Sequence, residues 1–226
     1  MQPTFAAVNI FSISKAHEAQ MQLSHKIIKG DQLPQKIRFV AGVDVAYFGK
    51  FAIGAVAVLN YETFDIIEKQ AAKCEAKFPY IPTLLSFREI PPALACIKKL
   101  RRQPDVLLVD GHGVAHPYGC GLASHLGLAL GKPTVGVAKK RLIGETENIA
   151  GKKLLFYKDQ IVGAVVTTKK GAKPVYVSIG HLISLGTAVK IAKHCVRNSK
   201  IPEPILQAHK VADMKKLELQ EKSKPL

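Results

Sequence analysis

The sequence predicts an α/β fold built on one mixed sheet, an antiparallel three-strand meander followed by parallel strands, with helices on its flanks. Three observations carry that prediction. Residues 37–74 hold three strand-like runs separated by tight-turn signals, and residues 91–137 alternate helical and strand patterns. A chain of 226 residues with 47% hydrophobic content suffices for one substantial core and falls short of two ordinary domains. A single domain over residues 1–226 is expected, ending in a polar tail at 215–226 that forms a frayed helix or stays disordered.

From about Ser14 to Lys29, Ala16, Ala19, Leu23 and Ile27 recur at helical spacing, with Ser14 placed to cap the helix and Gly30 to stop it. The period then changes. Ile37, Phe39, Ala41, Val43 and Val45 alternate along a strand, Gly49-Lys50 suits a two-residue hairpin loop, and Phe51 to Leu59 forms the return strand. After a turn at Asn60-Tyr61-Glu62-Thr63, Phe64 to about Cys74 completes the meander. A helix is expected to start after Pro91-Pro92, carrying Leu94, Ile97 and Leu100 inward and ending in basic residues. Val106 to Val109 is short and wholly apolar, hence a buried strand. A helix from about Cys120 to Leu130 and a strand from Thr134 to Val137 then make a crossover and a parallel part of the sheet. Leu154–Tyr157 and Ile161–Thr168 form a hairpin around Lys158-Asp159, and Val175–Ile179 with a helix from Ser184 to about Val196 completes the body.

Three antiparallel strands, a helix and a strand parallel to the first is the order in which ribonuclease-H-like sheets are built. A right-handed crossover returns the strand ending at Asp110 to the side of the strand carrying Asp44. Glu89 is expected in the connection between them, ahead of the proline pair and facing the same edge. Carboxylates gathered in one place raise each other's pKa unless a cation neutralises them. Oxygen-only ligands suit magnesium, with manganese as a substitute, which binds through a few carboxylates while touching substrate phosphate. An ion held this way activates water for in-line displacement at phosphorus, so the inferred reaction is phosphodiester hydrolysis. Each acid also has an ordinary reading: Asp110-Gly111 is a turn signal, Asp44 a solvent-facing strand residue, Glu89 a partner for Arg88 or another base. The place of Asp44 inside the apolar run Phe39–Phe48, where an unpaired carboxylate is costly, favours the catalytic reading.

The formal net charge of +16, from 33 Lys and Arg against 17 Asp and Glu, creates a field that attracts polyanions, nucleic acid foremost. Cys74, Cys96, Cys120 and Cys195 lie far apart with no C-x-x-C pair and read as reduced core residues. No apolar run reaches membrane-spanning length, and the apolar patch from Phe5 to Ile13 has neither a basic leader nor a small-residue cleavage pattern, so no membrane partner and a cytoplasmic location are expected. His112, His116 and Cys120 are zinc-ligand types, but Gly113 and Pro117 oppose a helix that would align them and no fourth ligand is evident.

The segment Phe78-Pro79-Tyr80-Ile81-Pro82-Thr83-Leu84-Leu85-Ser86-Phe87-Arg88-Glu89 resembles the signature of the endonuclease V family, in which a PYIP wedge leads into FRE. Gly42-Val43-Asp44, Asp110-Gly111-His112-Gly113, Ala115-His116-Pro117, Ala123-Ser124-His125, Gly136-Val137-Ala138-Lys139, Gly180-His181 and Ile201-Pro202-Glu203-Pro204 occur in the family's order at its approximate spacings. The resemblance covers about Ser14 to His209. It implies a DNA repair endonuclease that hydrolyses the second phosphodiester 3′ to a deaminated adenine, deoxyinosine, and leaves 3′-hydroxyl and 5′-phosphate ends. By matching positions, Asp44 and Asp110 become metal ligands, Glu89 a ligand directly or through water, and His209 a catalytic or phosphate-orienting residue. The Pro79-Tyr80-Ile81-Pro82 loop becomes a wedge that separates bases, and His116 a contact to substrate phosphate or product.

The residues fit those roles physically, each beside a plainer one. Two prolines stiffen the wedge loop, and Tyr80 and Ile81 offer surfaces that replace a lost stacking partner; a rigid core turn with a buried tyrosine is the other reading. Lys139 after an apolar strand places a fixed positive charge near a scissile phosphate, or belongs to a solvated basic cluster. Gly111 and Gly113 let the backbone approach a flipped base, or are ordinary turn formers. Thr83 stands where the family commonly has glycine, and Ile205-Leu206 where a Thr-Arg pair is common. Alternatives are a ribonuclease-H-like nuclease acting on inosine-containing RNA or branched DNA, and a non-catalytic nucleic-acid binder of the same fold, against which the full set Asp44, Glu89, Asp110 and His209 speaks. A monomer is the simplest expectation.

Overall fold

The computed structural model describes residues 12–169 and 171–222. Helix α1 (Ile13–Ser24) is capped by Ser12, whose side chain accepts from the Lys15 amide at 3.3 Å. It stops short of Lys29 because the next segment is claimed elsewhere. The Ile28 carbonyl accepts from Leu182 N at 2.8 Å and its amide donates to His181 Nδ1 at 3.2 Å, which draws the chain out of the helix. All but the last two residues of the Phe5–Ile13 patch lie outside the described residues.

Strands β1 (Phe39–Phe48), β2 (Phe51–Asn60) and β3 (Ile66–Glu75) form the expected meander, with Gly49 in the left-handed region at the first hairpin. Helix α2 (Leu85–Ile97) departs from expectation: Pro91 and Pro92 lie inside it rather than at its start. Prolines there remove two helix donors, a cost of a few kcal/mol at most positions. Here Ser86, Glu89 and Ile90 are buried ahead of the pair, so tertiary packing sustains the first two turns. Glu89 consequently sits on a helix, not in a connecting loop.

Strands β4 (Val106–Asp110) and β5 (Thr134–Ala138), linked by α3 (Leu122–Leu130), run parallel to β1. Helix α3 begins after Cys120 because the Gly121 amide is engaged by the Gly113 carbonyl at 2.9 Å. Then come β6 (Glu145–Ile149), β7 (Lys152–Tyr157), β8 (Gln160–Val166), β9 (Val175–His181), α4 (Leu185–His194) capped by Ser184, and α5 (Glu203–Lys222). The nine strands form one ribonuclease-H-like mixed sheet in the order β3-β2-β1-β4-β5-β9-β8-β7-β6, with β1, β4 and β5 parallel and every other pairing antiparallel.

β6 has no counterpart in the sequence reading, and α5 has one only at its end, where a frayed helix is one of the two expectations for the tail at 215–226. β6 (Glu-Thr-Glu-Asn-Ile) is almost wholly exposed at the sheet edge, where charge discourages further strand pairing and no alternation is needed. α5 buries only Pro204, Ile205, Ala208 and Ala212, a stripe too small in side-chain volume to register as amphipathic. Residues 215–222 continue this helix, and 223–226 lie outside the described residues.

Side-chain alternation divides the sheet between two cores. Val40, Leu108, Val135 and Val137 pack under α4 and α5 with Ile191, Ile205 and Ala208, while Ala41, Val43, Leu107 and Val109 pack under α2 and α3 with Ala93 and Leu126. Cys96, Cys120 and Cys195 are buried free thiols and Cys74 is half-buried and free. No helix among the described residues is long and apolar enough to cross a membrane.

Candidate active site

The parallel pairing from Val40–Val106 to Val43–Val109 brings Asp44 and Asp110 level on neighbouring strands, one step beyond the last pair. Alternation from Val40 and Leu108 directs both toward the α5 side, so the two carboxylates share a face. Lys139, two residues past Val137 on the same face, donates from Nζ to Asp110 Oδ2 at 2.5 Å.

The fourth group arrives on α5. A Cβ on Gly42 would lie 1.9 Å from the Pro204 carbonyl oxygen, so only glycine lets the helix start directly on β1. From there the helix climbs about 7.5 Å over the five residues to His209, close to the roughly 6.6 Å from Gly42 to Asp44 along the strand. His209 Nδ1 accordingly meets Asp44 Oδ2 at 2.6 Å, and Asp213, one turn on, lies 3.3 Å from Nε2. An ionised carboxylate only accepts, so the imidazole donates to Asp44. The second Asp44 oxygen accepts from the Val45 amide at 2.9 Å.

Glu89 approaches from the opposite face. The missing Cβ of Gly54 admits the Pro92 carbonyl against β2, where a side chain would meet it at 2.1 Å, and one helical turn earlier Glu89 reaches toward the aspartates. The Tyr47 hydroxyl donates to Glu89 Oε1 at 3.4 Å, while Arg88 stacks on the Tyr47 ring at 4.6 Å. Burial, then the charges of Asp44 and Asp110, push the Glu89 carboxyl up to about 8. Burial also raises Asp110 above the usual carboxylate range, with Asp44 adding to the rise and Lys139 opposing it. For Lys139 burial works downward, but the hydrogen bond to Asp110 and the two aspartate charges outweigh it and hold its ammonium above the ordinary value.

This donor set fits a hard divalent cation. Among the described residues no three His, Cys, Asp or Glu side chains close tightly enough around one point to hold an ion by themselves. Magnesium needs no such cage: one or two carboxylates, retained waters and a substrate phosphate complete its shell. The level pair Asp44 and Asp110 would supply such carboxylates to a bound divalent ion, and the negative charge that raises Glu89 is what a cation placed there would relieve.

Pro79, Tyr80 and Pro82 are exposed, Tyr80 by 71%, and Ile81 is half-buried, which excludes the buried-tyrosine reading. Gly113 is less free than expected. Its amide donates to Ser178 Oγ at 2.9 Å and its missing Cβ is filled by the Ile179 carbonyl, so its absent side chain serves the close approach of β9; a Cβ on Gly111 would make only ordinary contact with Leu122. His116 is buried, its Nδ1 accepts from the Tyr118 amide at 3.3 Å, and burial first, then neighbouring histidines, pushes its pKa down to about 4. At neutral pH it is an uncharged ring. His112, also pushed down to about 4 by burial, leaves Nδ1 without a protein partner. Ile205, where the resemblance would place threonine, is fully buried in the core.

Sequence reasoning missed Tyr47 and Asp213. Tyr47 lay in plain view three residues past Asp44 on the same strand, and Asp213 stands four residues beyond His209, a spacing that has meaning only once α5 is recognised as a helix.

The family model for endonuclease V matches residues 21–210. The chain is 44% identical over 201 residues to endonuclease V of Thermofilum pendens, covering 88% of this chain and 87% of that one. Among solved structures it resembles endonuclease V of Streptomyces avermitilis at TM-score 0.86 and 35% identity, covering 92% and 95% of the two chains. It also resembles endonuclease V of Ciona intestinalis bound to a 24mer DNA containing an inosine followed by a ribo-adenosine, at TM-score 0.82 and 30% identity over 92% and 98%. Matched along nearly its whole length in sequence and in fold, the chain belongs to the endonuclease V family of DNA repair nucleases, hydrolases of phosphodiester bonds.

Proposed function

We propose that this chain incises DNA at the second phosphodiester 3′ to deoxyinosine, with magnesium as its ion and manganese as a substitute, acting as a cytoplasmic, single-domain monomer. The observation that carries the reading is the level placement of Asp44 and Asp110 on one face, with Lys139 and His209 in contact with them. Asp44 and Asp110 would hold the ion, and Glu89 would join them directly or through water. The bound ion supplies an activated water and stabilises charge on the phosphoryl oxygens. Lys139 carries a fixed cation at the same rim, where its ammonium, paired with Asp110 in the absence of substrate, would meet a non-bridging phosphate oxygen. His209, held at Nδ1 by Asp44 and flanked by Asp213, orients a phosphate oxygen or passes a proton during attack. Water adds to phosphorus and the bond to the 3′ oxygen breaks, which leaves a 3′-hydroxyl and a 5′-phosphate.

Recognition would fall to the loop Pro79-Tyr80-Ile81-Pro82, whose exposed ring takes the place of a displaced base, and to Gly111, where the backbone is open to a flipped base; His116 would contact substrate phosphate or product, and Gly113 would act only by letting β9 approach the Asp110 loop. The inosine-containing DNA in the Ciona intestinalis complex supports this substrate class, and the ribo-adenosine beside that inosine favours inosine-containing RNA as the second reading. The deciding experiment follows end-labelled DNA and RNA duplexes, each with one inosine, and maps the product ends. A single nick one nucleotide beyond the 3′ neighbour bond of deoxyinosine, faster in DNA, is expected. Equal cutting of undamaged duplex would overturn the lesion assignment, and faster cutting of RNA would replace DNA as the substrate.

A further inference from the structure

The exposed loop ends in a turn that is hard for its sequence to make. Leu84 N donates to the Ile81 carbonyl at 3.0 Å, with Pro82 and Thr83 as central residues and Thr83 at φ 72°. Proline followed by a residue in the left-handed region is the type II pattern, for which glycine is the ordinary second residue; a β-branched side chain there is strained. The strain is met by groups from α1. His17 Nε2 lies 3.0 Å from Thr83 Oγ1, and Gln20, fully buried, donates to the Thr83 carbonyl at 2.9 Å and to the Cys120 carbonyl at 3.0 Å. His17 is itself fixed by stacking on Tyr118 with ring centroids 4.0 Å apart. At the loop's other end, Arg88 donates to the Phe78 carbonyl at 2.8 Å while covering Tyr47, the partner of Glu89.

We infer that His17 and Gln20 of α1 are positioning residues for the loop 79–82, clamping Thr83 in its left-handed conformation so that Tyr80 is presented as a rigid wedge. The inference rests on the wedge reading above. The clamp does by side-chain hydrogen bonds what glycine would do by conformational freedom, and it makes α1 part of lesion recognition without touching nucleic acid. Its effect is on base displacement rather than on DNA affinity, which the net positive charge supplies.

The test places 2-aminopurine beside deoxyinosine in a duplex and records its fluorescence with enzyme in chelator, so that unstacking is read without cleavage, then measures kcat and KM with magnesium. Tyr80→Ala should abolish the fluorescence rise; if it does not, the wedge reading fails and the clamp falls with it. Given that loss, His17→Ala and Thr83→Val should each lower the rise and kcat about tenfold at little changed KM, while Thr83→Ser behaves as wild type. In a Thr83→Gly background His17→Ala should add no further loss, because the contact it removes is already gone. If Tyr80→Ala is impaired while His17→Ala and Thr83→Val retain full fluorescence and kcat, the wedge stands and the clamp is refuted. An additive loss in the double variant would equally refute it. Melting curves for each variant separate these outcomes from unfolding, and Thr83→Ser against Thr83→Val keeps the comparison at one position.

Discussion

Replacing Glu89 by glutamine should stabilise the ion-free protein at high pH while destroying incision. The folded carboxyl holds its proton up to about 8, against an ordinary value of 4.5, because it is buried beside two aspartates. Between those limits the folded state binds a proton that the unfolded chain has released, so stability falls as pH rises through the window. The contribution is intact below 4.5 and fully lost above 8. At about 1.4 kcal/mol per pH unit, the whole window is worth on the order of 5 kcal/mol. Glutamine keeps the shape and the neutral state at every pH, so the variant escapes this loss. With about 2–4 °C of melting temperature per kcal/mol for a chain of this size, the variant should melt on the order of 10 °C above wild type at pH 9 in chelator and within a few degrees of it at pH 5. Added magnesium should narrow the gap at pH 9, since a cation offsets the repulsion. Melting curves of both proteins at the two pH values test this. Equal melting temperatures at pH 9, or a gap that is the same at pH 5, would refute the claim that Glu89 is crowded by the aspartates.

Three further perturbations follow from the same geometry. Gly42→Ala puts a methyl 1.9 Å from the Pro204 carbonyl oxygen and must push α5 off β1; a loss of about 1–3 kcal/mol in denaturant titration and a fall in kcat through displaced His209 are expected. Lys139→Met leaves Asp110 without its cation, and single-turnover incision should slow roughly 100-fold with duplex affinity little changed in a gel-shift assay. Asp213→Asn removes a charge from a half-exposed neighbour of His209 and should cost incision roughly tenfold or less, with an unaltered circular dichroism spectrum.

Much of this architecture was legible in the residues, and the exceptions have physical causes. The meander announced itself because β1 and β2 bury one face against each core and turn at Gly49-Lys50, and the short run Val106–Asp110 was too apolar to be anything but a central strand. Asp44 and Asp110 were therefore placed by topology alone. Glu89 was found but assigned to a loop, since a proline pair reads as a helix start and only the burial of Ser86, Glu89 and Ile90 explains a helix that runs through it. Most of α5 escaped because its inner stripe is only Pro204, Ile205, Ala208 and Ala212, a single large side chain among small ones, so the helix that delivers His209 carries little hydrophobic signal. Thr83 was visible as a departure from glycine, but its left-handed backbone and its anchors on α1 depend on contacts across more than sixty residues of chain that no local pattern encodes.

The most direct test of the account is single-turnover incision of a duplex bearing one deoxyinosine, run with magnesium and with chelator on the wild-type chain, Asp44→Ala and Asp110→Ala. Cutting at one position that needs both the ion and both aspartates is predicted. Undiminished cutting in chelator, or by either alanine variant, would contradict it.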